Sequence, residues 1–281
     1  MATSFRYEIG ACGQYVDDET GNTIIREWDF VQGLLEAKVD SIYEATMSEG
    51  EPVLYLTNSQ DFTNFVNRRN RFMGEDELTY VPNFREEVAT VKPYKGQRKA
   101  EKPHWFHAIG HYIYERYECK LANGIEADDL LCIDASLDPE NSVICSRDKD
   151  LRQMNCWHYG WECGLQPEFP IEYVEGAGWL KLNERKKKVE GVGMKFFYSQ
   201  MVTGDTVDNI PGIPGKGYKA AYKALCEAIT TEECKGIVVG MYKEKYGEEA
   251  LERFTEQAKL LFMVRQLDEQ GLPVDKGWNN V

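Results

Sequence analysis

Seven carboxylates fall in three short segments of this 281-residue chain, at spacings that suit metal chemistry. Glu126, Asp128 and Asp129 lie in EADDLL, Asp148 and Asp150 in SRDKD, and Asp205 and Asp208 in GDTVDN. Asp205 and Asp208, three apart, share one face of a helical turn. Hard divalent cations such as Mg2+ take oxygen ligands, usually a few carboxylates plus waters and substrate phosphates. Two such ions about 3.5–4 Å apart activate a water and stabilise the leaving oxygen in phosphodiester hydrolysis. Without cations, carboxylates crowded in this way repel one another. Taken singly, each pair reads more simply as a helix N-cap or an exposed loop acid. Three groups at matching positions favour the metal reading.

A loop of different character follows the last pair, in IPGIPGKGYKAAYKAL. Gly212, Gly215 and Gly217 leave backbone N–H groups free to face a phosphate, and the GIPGKG segment resembles a helix–hairpin–helix loop. Lys216, Lys219 and Lys223 add charge along the same backbone. Glycine and proline also make ordinary turns, so it is the adjacent GDTVDN that sharpens this signal.

These groups need elements to position them. The stretch 24–47 carries a helical period, and PVLYLT (52–57) reads as a strand. Residues 58–91 are polar and weakly periodic, which predicts excursions or irregular helix. A helix is expected from near Pro103 to about Tyr117. YECKLA, NSVICS and NCWHYGW then read as strands, with EADDLLCIDAS and RDKDLRQM as helices between them. That alternation predicts an α/β fold with a parallel-type central sheet flanked by helices. In open α/β sheets chemistry gathers at the carboxyl ends of the strands, where EADDLL and SRDKD fall. From about Gly191 the chain turns helical. The expected organisation is an α/β core over 1–190 and a helical region over 191–281.

Bulk composition sets wider bounds. The residues are 42% hydrophobic, 28% charged and 12% aromatic, with a formal charge of −14. That balance argues against a uniformly basic nucleic-acid surface, but distribution matters more than the net value. Lys92, Lys95, Arg98, Lys99 and Lys102 form one basic clump, and Arg185 to Lys188 another. No apolar run is long enough to span a bilayer and no signal-peptide pattern opens the chain, so a cytoplasmic monomer without a membrane partner is expected. The eight cysteines form no CxxC pair and read as reduced, mostly buried thiols. His104, His107 and His111 share one helix face, read as helix surface rather than a metal site. Trp157, Tyr159 and Trp161 alternate as in a packed strand.

EADD, SRDKDLRQ, TGDTVDNIPGIPGKG and the upstream NFREEVATVKPYKGQRKAEKP together resemble the 5′→3′ exonuclease and flap endonuclease family, its bacteriophage members above all. The likeness covers roughly residues 83–265. It implies a PIN-like 5′ nuclease core, with Glu126, Asp128, Asp129 and Asp148 on one metal and Asp150, Asp205 and Asp208 on a second. The ions implied are Mg2+, with Mn2+ able to substitute, and K+ at the helix–hairpin–helix. YKGQR resembles the base of a helical arch, here about 62–102. Lys95 and Arg98 would then act on the scissile phosphate, with Tyr94 and Arg85 as nearby DNA contacts. The implied substrate is DNA with 5′ ends, flaps or branches, or an RNA–DNA hybrid, and the implied location the host cytoplasm if the gene is a phage's. Family members begin with an apolar strand ending in a metal-ligating aspartate. Here FRYEIGA resembles the helix that follows that strand, so the likeness implies a sheet short of one strand and a site short of one acid. Asp61 is a further candidate ligand. A silent binder of branched DNA and a single-strand RNase of PIN type are the alternatives.

Overall fold

The computed structural model describes residues 3–97, 101–183 and 188–274. Arg98 and Lys99, and Arg185 to Lys187 of the second clump, lie outside the described residues. The chain opens with α1 (Thr3–Cys12), an antiparallel pair β1 (Gln14–Val16) and β2 (Thr23–Ile25), α2 (Trp28–Thr46) and β3 (Leu54–Thr57). Next come α3 (Gln60–Met73), α4 (Phe84–Val88), α5 (Phe106–Arg116), β4 (Cys119–Ala122) and α6 (Ala127–Leu137). β5 (Val143–Cys145), a 3-10 turn (Lys149–Gln153), β6 (Trp157–Gly160) and β7 (Phe169–Tyr173) follow. A further antiparallel pair, β8 (Leu180–Leu182) and β9 (Val189–Gly191), leads into α7 (Gly193–Thr203). The ribbon of β10 (Gly204–Asp205) and β11 (Ile210–Pro211) then precedes α8 (Tyr218–Leu225), α9 (Thr231–Tyr246) and α10 (Ala250–Leu261).

The architecture is mixed α/β. α2 buries Val31, Leu35, Val39 and Ile42, one apolar stripe at helical spacing, against Leu54 and Leu56 of β3 and Phe5 and Ile9 of α1. Beyond β9 a helical core forms from Phe197, Met201 and Val202 of α7 with Val238 and Tyr242 of α9 and Phe254 of α10. The Tyr242 hydroxyl donates to the Met201 carbonyl at 2.8 Å, so this buried phenol is satisfied. Among the described residues no helix is long and apolar enough to cross a membrane.

The sheet departs from expectation. β3 pairs with β4 in parallel and β5 pairs with β6 in parallel, but the two pairs belong to separate sheets. β7 adds to β6 antiparallel, so a single parallel central sheet is not formed among the described residues. The segment expected to be irregular contains a regular helix, α3. Its signals are local: Ser59 accepts from the Phe62 N–H at 3.2 Å, and Gly74 ends the helix at φ 74°. Asp61 lies exposed in its first turn, where a negative charge suits the helix N-terminus. All eight cysteines are free thiols, three of them buried. His111 stacks on Phe65 with centroids 3.7 Å apart, a packing role.

Arg85 of α4 ties α6 to the end of α10. Its guanidinium is fully buried and meets Asp129 of α6 in a two-pronged pair at 2.5 and 2.8 Å. It also donates to the Leu260 and Phe262 carbonyls at the end of α10. The expectation that Arg85 touches DNA is therefore corrected: at 1% exposure it is a structural cation. Removing one partner of such a buried pair strands the other charge. Arg85→Met is expected to cost about 3–5 kcal/mol in urea unfolding, with much of the loss recovered in Arg85→Met/Asp129→Leu. An Arg85→Met chain as stable as wild type would contradict this role.

Candidate metal and nucleic-acid site

Glu126 is the N-cap of α6: Asp129, three residues on, accepts the Glu126 N–H at 3.0 Å and completes a capping box. Asp129 thus spends its oxygens on Arg85, on that amide and on the Val264 N–H at 3.0 Å. Buried and saturated, it positions α6 rather than presenting a ligand, which corrects its expected place on a metal. Asp148 caps the 3-10 turn after β5 by accepting the Asp150 N–H at 2.9 Å. That turn brings Asp148 into range of both Asp128 and Asp150.

Their electrostatics record the crowding. Burial, and then the charges of Asp148 and Glu126, push the Asp128 carboxyl well above the usual carboxylate range. Its Oδ1 is buried without a hydrogen-bond partner. Burial and the neighbouring Asp148 push Asp150 up to about 6. An orphaned buried oxygen amid repelling carboxylates is the donor chemistry that suits a hard divalent cation.

Two lysines offset part of that charge. Lys149 bonds Asp150 at 2.6 Å and Asp205 at 3.2 Å. Burial works against its charge, but Asp150 and Asp205 outweigh it and hold the ammonium above its ordinary range. Gln200 of α7 also donates to Asp150 at 2.8 Å. Lys95 bonds Glu126 and lies 3.9 Å from Asp208, while Tyr94 donates to Glu126 at 2.9 Å and to Asp208 at 3.3 Å. Burial raises Glu126, yet Lys95 and Arg85 more than compensate and leave it below its usual range. Asp205 follows the same logic through Lys149. Among the described residues no three His, Cys, Asp or Glu side chains converge as a ready metal cage. Four of the seven acids form two lysine-bridged pairs instead, Glu126 with Asp208 through Lys95 and Asp150 with Asp205 through Lys149.

The loop carrying Lys95 is tied to the loop carrying Asp208. The Lys95 N–H donates to the Asp208 carbonyl at 2.9 Å, and Asn209 Nδ2 donates to the Pro93 carbonyl at 2.9 Å. Gln97 Nε2 closes on Asn209 Oδ1 at 2.8 Å. Both Lys95 (φ 54°) and Asn209 (φ 59°) sit in the left-handed region, which costs a lysine about 1–2 kcal/mol. Lys149, inside SRDKD, is a functional residue that the acid motifs alone do not single out; its signal is its place between two acids. Gln200, Gln97 and Asn209 carried no such signal, because each acts across a long stretch of sequence.

Past the ribbon, Gly212 lies so close to Val202, Thr203 and Gly204 that a Cβ there would sit 2.3–2.4 Å from backbone atoms. This close approach fixes the turn from α7 towards α8. Gly215 (φ 83°) and Gly217 face open space ahead of α8. Lys219 and Lys223 are exposed one turn apart on α8, whereas Lys216 leans on Glu244 at 3.7 Å.

No family model matches this chain, and no curated protein matches it. Two solved structures show a partial likeness. One is the 5′-exonuclease of bacteriophage T5 with bound zinc, with a TM-score of 0.46 and 14% identity, covering 81% of this chain and 77% of that one. The other is a bacteriophage T5 flap endonuclease with DNA and metal ions, at 0.48 and 14%, covering 82% and 78%.

The acids make a direct prediction. Mg2+ or Mn2+ at about 100 times its Kd is expected to stabilise the chain by about 2.7 kcal/mol per site, read as a rise in Tm. Asp128→Asn should lose that gain, yet melt no lower than wild type without metal, because the neutral amide relieves repulsion. A Tm indifferent to metal, or equally raised in Asp128→Asn, would contradict the metal reading.

Proposed function

We propose that the chain is a divalent-metal-dependent 5′ nuclease that hydrolyses DNA phosphodiester bonds at 5′ ends, flaps or branches. The observation that carries the reading is the unpartnered, buried Asp128 oxygen beside Asp148 and Asp150. Supporting it, an open glycine loop and exposed lysines lie at the other end of the same connection from α7.

In this reading Glu126, Asp128 and Asp148 hold one ion, and Asp150, Asp205 and Asp208 the second, with Asp129 as their support. Bound there, such ions supply an activated water and charge stabilisation at the leaving oxygen. Mg2+ fits the all-oxygen set, with Mn2+ as the substitute. Lys95 stands at Glu126 and Asp208, where its ammonium can turn to an incoming phosphate, and Tyr94 orients both carboxylates. Arg98 is its expected companion. Lys149 lends the second group positive charge until substrate and cation take over that task. The 209–222 segment grips the duplex backbone: Gly212, Gly215 and Gly217 clear the approach, and Lys216, Lys219 and Lys223 neutralise phosphates. That segment belongs to a DNA-gripping region over 191–281, set against a nuclease core over 1–190.

A second reading, a silent binder of branched DNA, draws on the lysine bridges, which balance the acids without any metal. Both are tested by incubating the chain with Mg2+ and 5′-flapped or recessed duplexes. Cleavage well above an Asp148→Ala/Asp150→Ala control is expected. Product that never exceeds the control, with duplex binding that persists in EDTA, would overturn the nuclease and leave the binder. Lys219→Ala and Lys223→Ala should each weaken duplex binding evenly across sequences and reduce the salt slope by about 1.

A further inference from the structure

A second crowded cluster carries the opposite sign. Arg6 of α1 is only 6% exposed, yet among the described residues no carboxylate pairs with it and no acceptor takes a hydrogen bond from it. Its Nε is buried without a partner. Arg85 shows the usual arrangement, a buried guanidinium answered by Asp129 and two carbonyls. Arg6 has the burial and lacks the answer.

Its surroundings are apolar or cationic. The guanidinium lies over the Phe106 ring at 4.2 Å, and the Lys102 ammonium lies over the same ring at 5.2 Å. Gly110, on the next turn of α5, makes room for it: a Cβ there would come within 2.6 Å of Nη1. His107 stands beside Phe106 with ring centroids 5.5 Å apart, and His111, stacked on Phe65, closes the following turn. Burial lowers Arg6 to about 10, against weaker pulls from Tyr7 and Cys119. Burial, and then the charges of Lys102 and Arg6, push His107 below its usual range, and Asp61 opposes them. Imidazole held neutral by cationic neighbours is relieved by an anion, as crowded carboxylates are by a cation.

We propose that Arg6, Lys102 and His107 form a site for a terminal phosphate dianion, the group carried by inorganic phosphate and by a 5′-phosphorylated nucleic-acid end. A guanidinium presents a planar fork that matches two phosphate oxygens, and an ammonium adds a point charge. A terminal phosphate carries about −1.5 to −2 charge near neutral pH, which the two fixed cations match, and His107 adds an N–H donor. A phosphodiester within a strand has half that charge and matches the cluster less well. The fold places the cluster near the acids. α3 leaves the carboxyl end of β3, where Thr57 Oγ1 accepts the Ala127 N–H at 2.9 Å beside Glu126. Asp61, in the first turn of α3, acts on His107, so the cluster stands at that same end of β3. A 5′-phosphate seated there marks the strand end for the acids, a consequence that rests on the nuclease reading. The anion site itself does not.

The test uses the full chain in EDTA, so that no strand is cut. Thermal unfolding is compared in potassium phosphate and in potassium chloride at equal ionic strength. Anisotropy then follows one 3′-labelled single strand bearing either a 5′-phosphate or a 5′-hydroxyl. Phosphate is expected to raise the Tm, and the 5′-phosphorylated strand to bind about tenfold tighter than its hydroxyl twin. Both effects should vanish in Arg6→Met, which keeps an apolar stem against Phe106, and shrink in His107→Gln. His107 is exposed, so the second variant keeps the test decisive if Arg6→Met folds poorly. A Tm response without a 5′ preference supports the site and assigns it to free phosphate; a 5′ preference without a Tm response supports it and assigns it to strand ends. Neither effect in the wild-type chain, or effects that survive unchanged in both variants, would overturn the proposal. Cleavage is not read, so failure here leaves the nuclease reading standing.

Discussion

Mutual repulsion among buried and half-buried carboxylates is the constraint around which this molecule is arranged. Asp128, Asp148 and Asp150 are brought together by two tight cap geometries, the capping box of α6 and the 3-10 turn after β5. Nothing within the triad offsets their charge. The surrounding structure answers with three cations on the neighbouring acids: Arg85 on Asp129, Lys95 from the 93–97 loop on Glu126, and Lys149, itself between two acids, on Asp150. Each cation is spoken for by two carboxylates, and the Asp128 oxygen still lacks a partner. The balance is one that an added divalent cation improves.

The helical C-terminal region belongs to the same electrostatic system. The carbonyls at the end of α10 complete the coordination of Arg85, and Val264 donates to Asp129. Gln153 reaches the Leu261 carbonyl at 3.0 Å, and Gln200 reaches Asp150. The loop of Tyr94 and Lys95 is sewn to Asp208 and Asn209 by backbone and amide hydrogen bonds, at the cost of two left-handed residues. Strain of this kind persists where surrounding contacts over-determine it, and it is concentrated at the acid groups.

Much of this was legible in the sequence, and the rest failed for identifiable reasons. The strands PVLYLT, YECKLA, NSVICS and NCWHYGW and the helix of EADDLL stand where their patterns put them, because each is a short run with clear boundaries, and the chain does turn helical just past Gly191. α3 was hidden by its polar composition, since only one narrow face is buried and the caps carry the signal. Arg85 and Asp129 were read as functional because residue type alone cannot separate a buried ion pair from an exposed one. Lys149 was visible but silent, its role depending on Asp205, fifty-six positions away. The split of the sheet escaped the alternation of strands and helices, which reports that strands exist and not which edges meet.

The central claim is that the acid groups are held by lysines in a state that a divalent cation can take over. Anomalous diffraction from crystals of this chain grown with Mn2+ addresses it most directly. The account predicts manganese peaks within coordinating reach of Asp128 and Asp150, with the Lys149 ammonium no longer bonded to both Asp150 and Asp205. Crystals that hold no manganese there, with the Lys149 and Lys95 bridges intact at saturating metal, would contradict it.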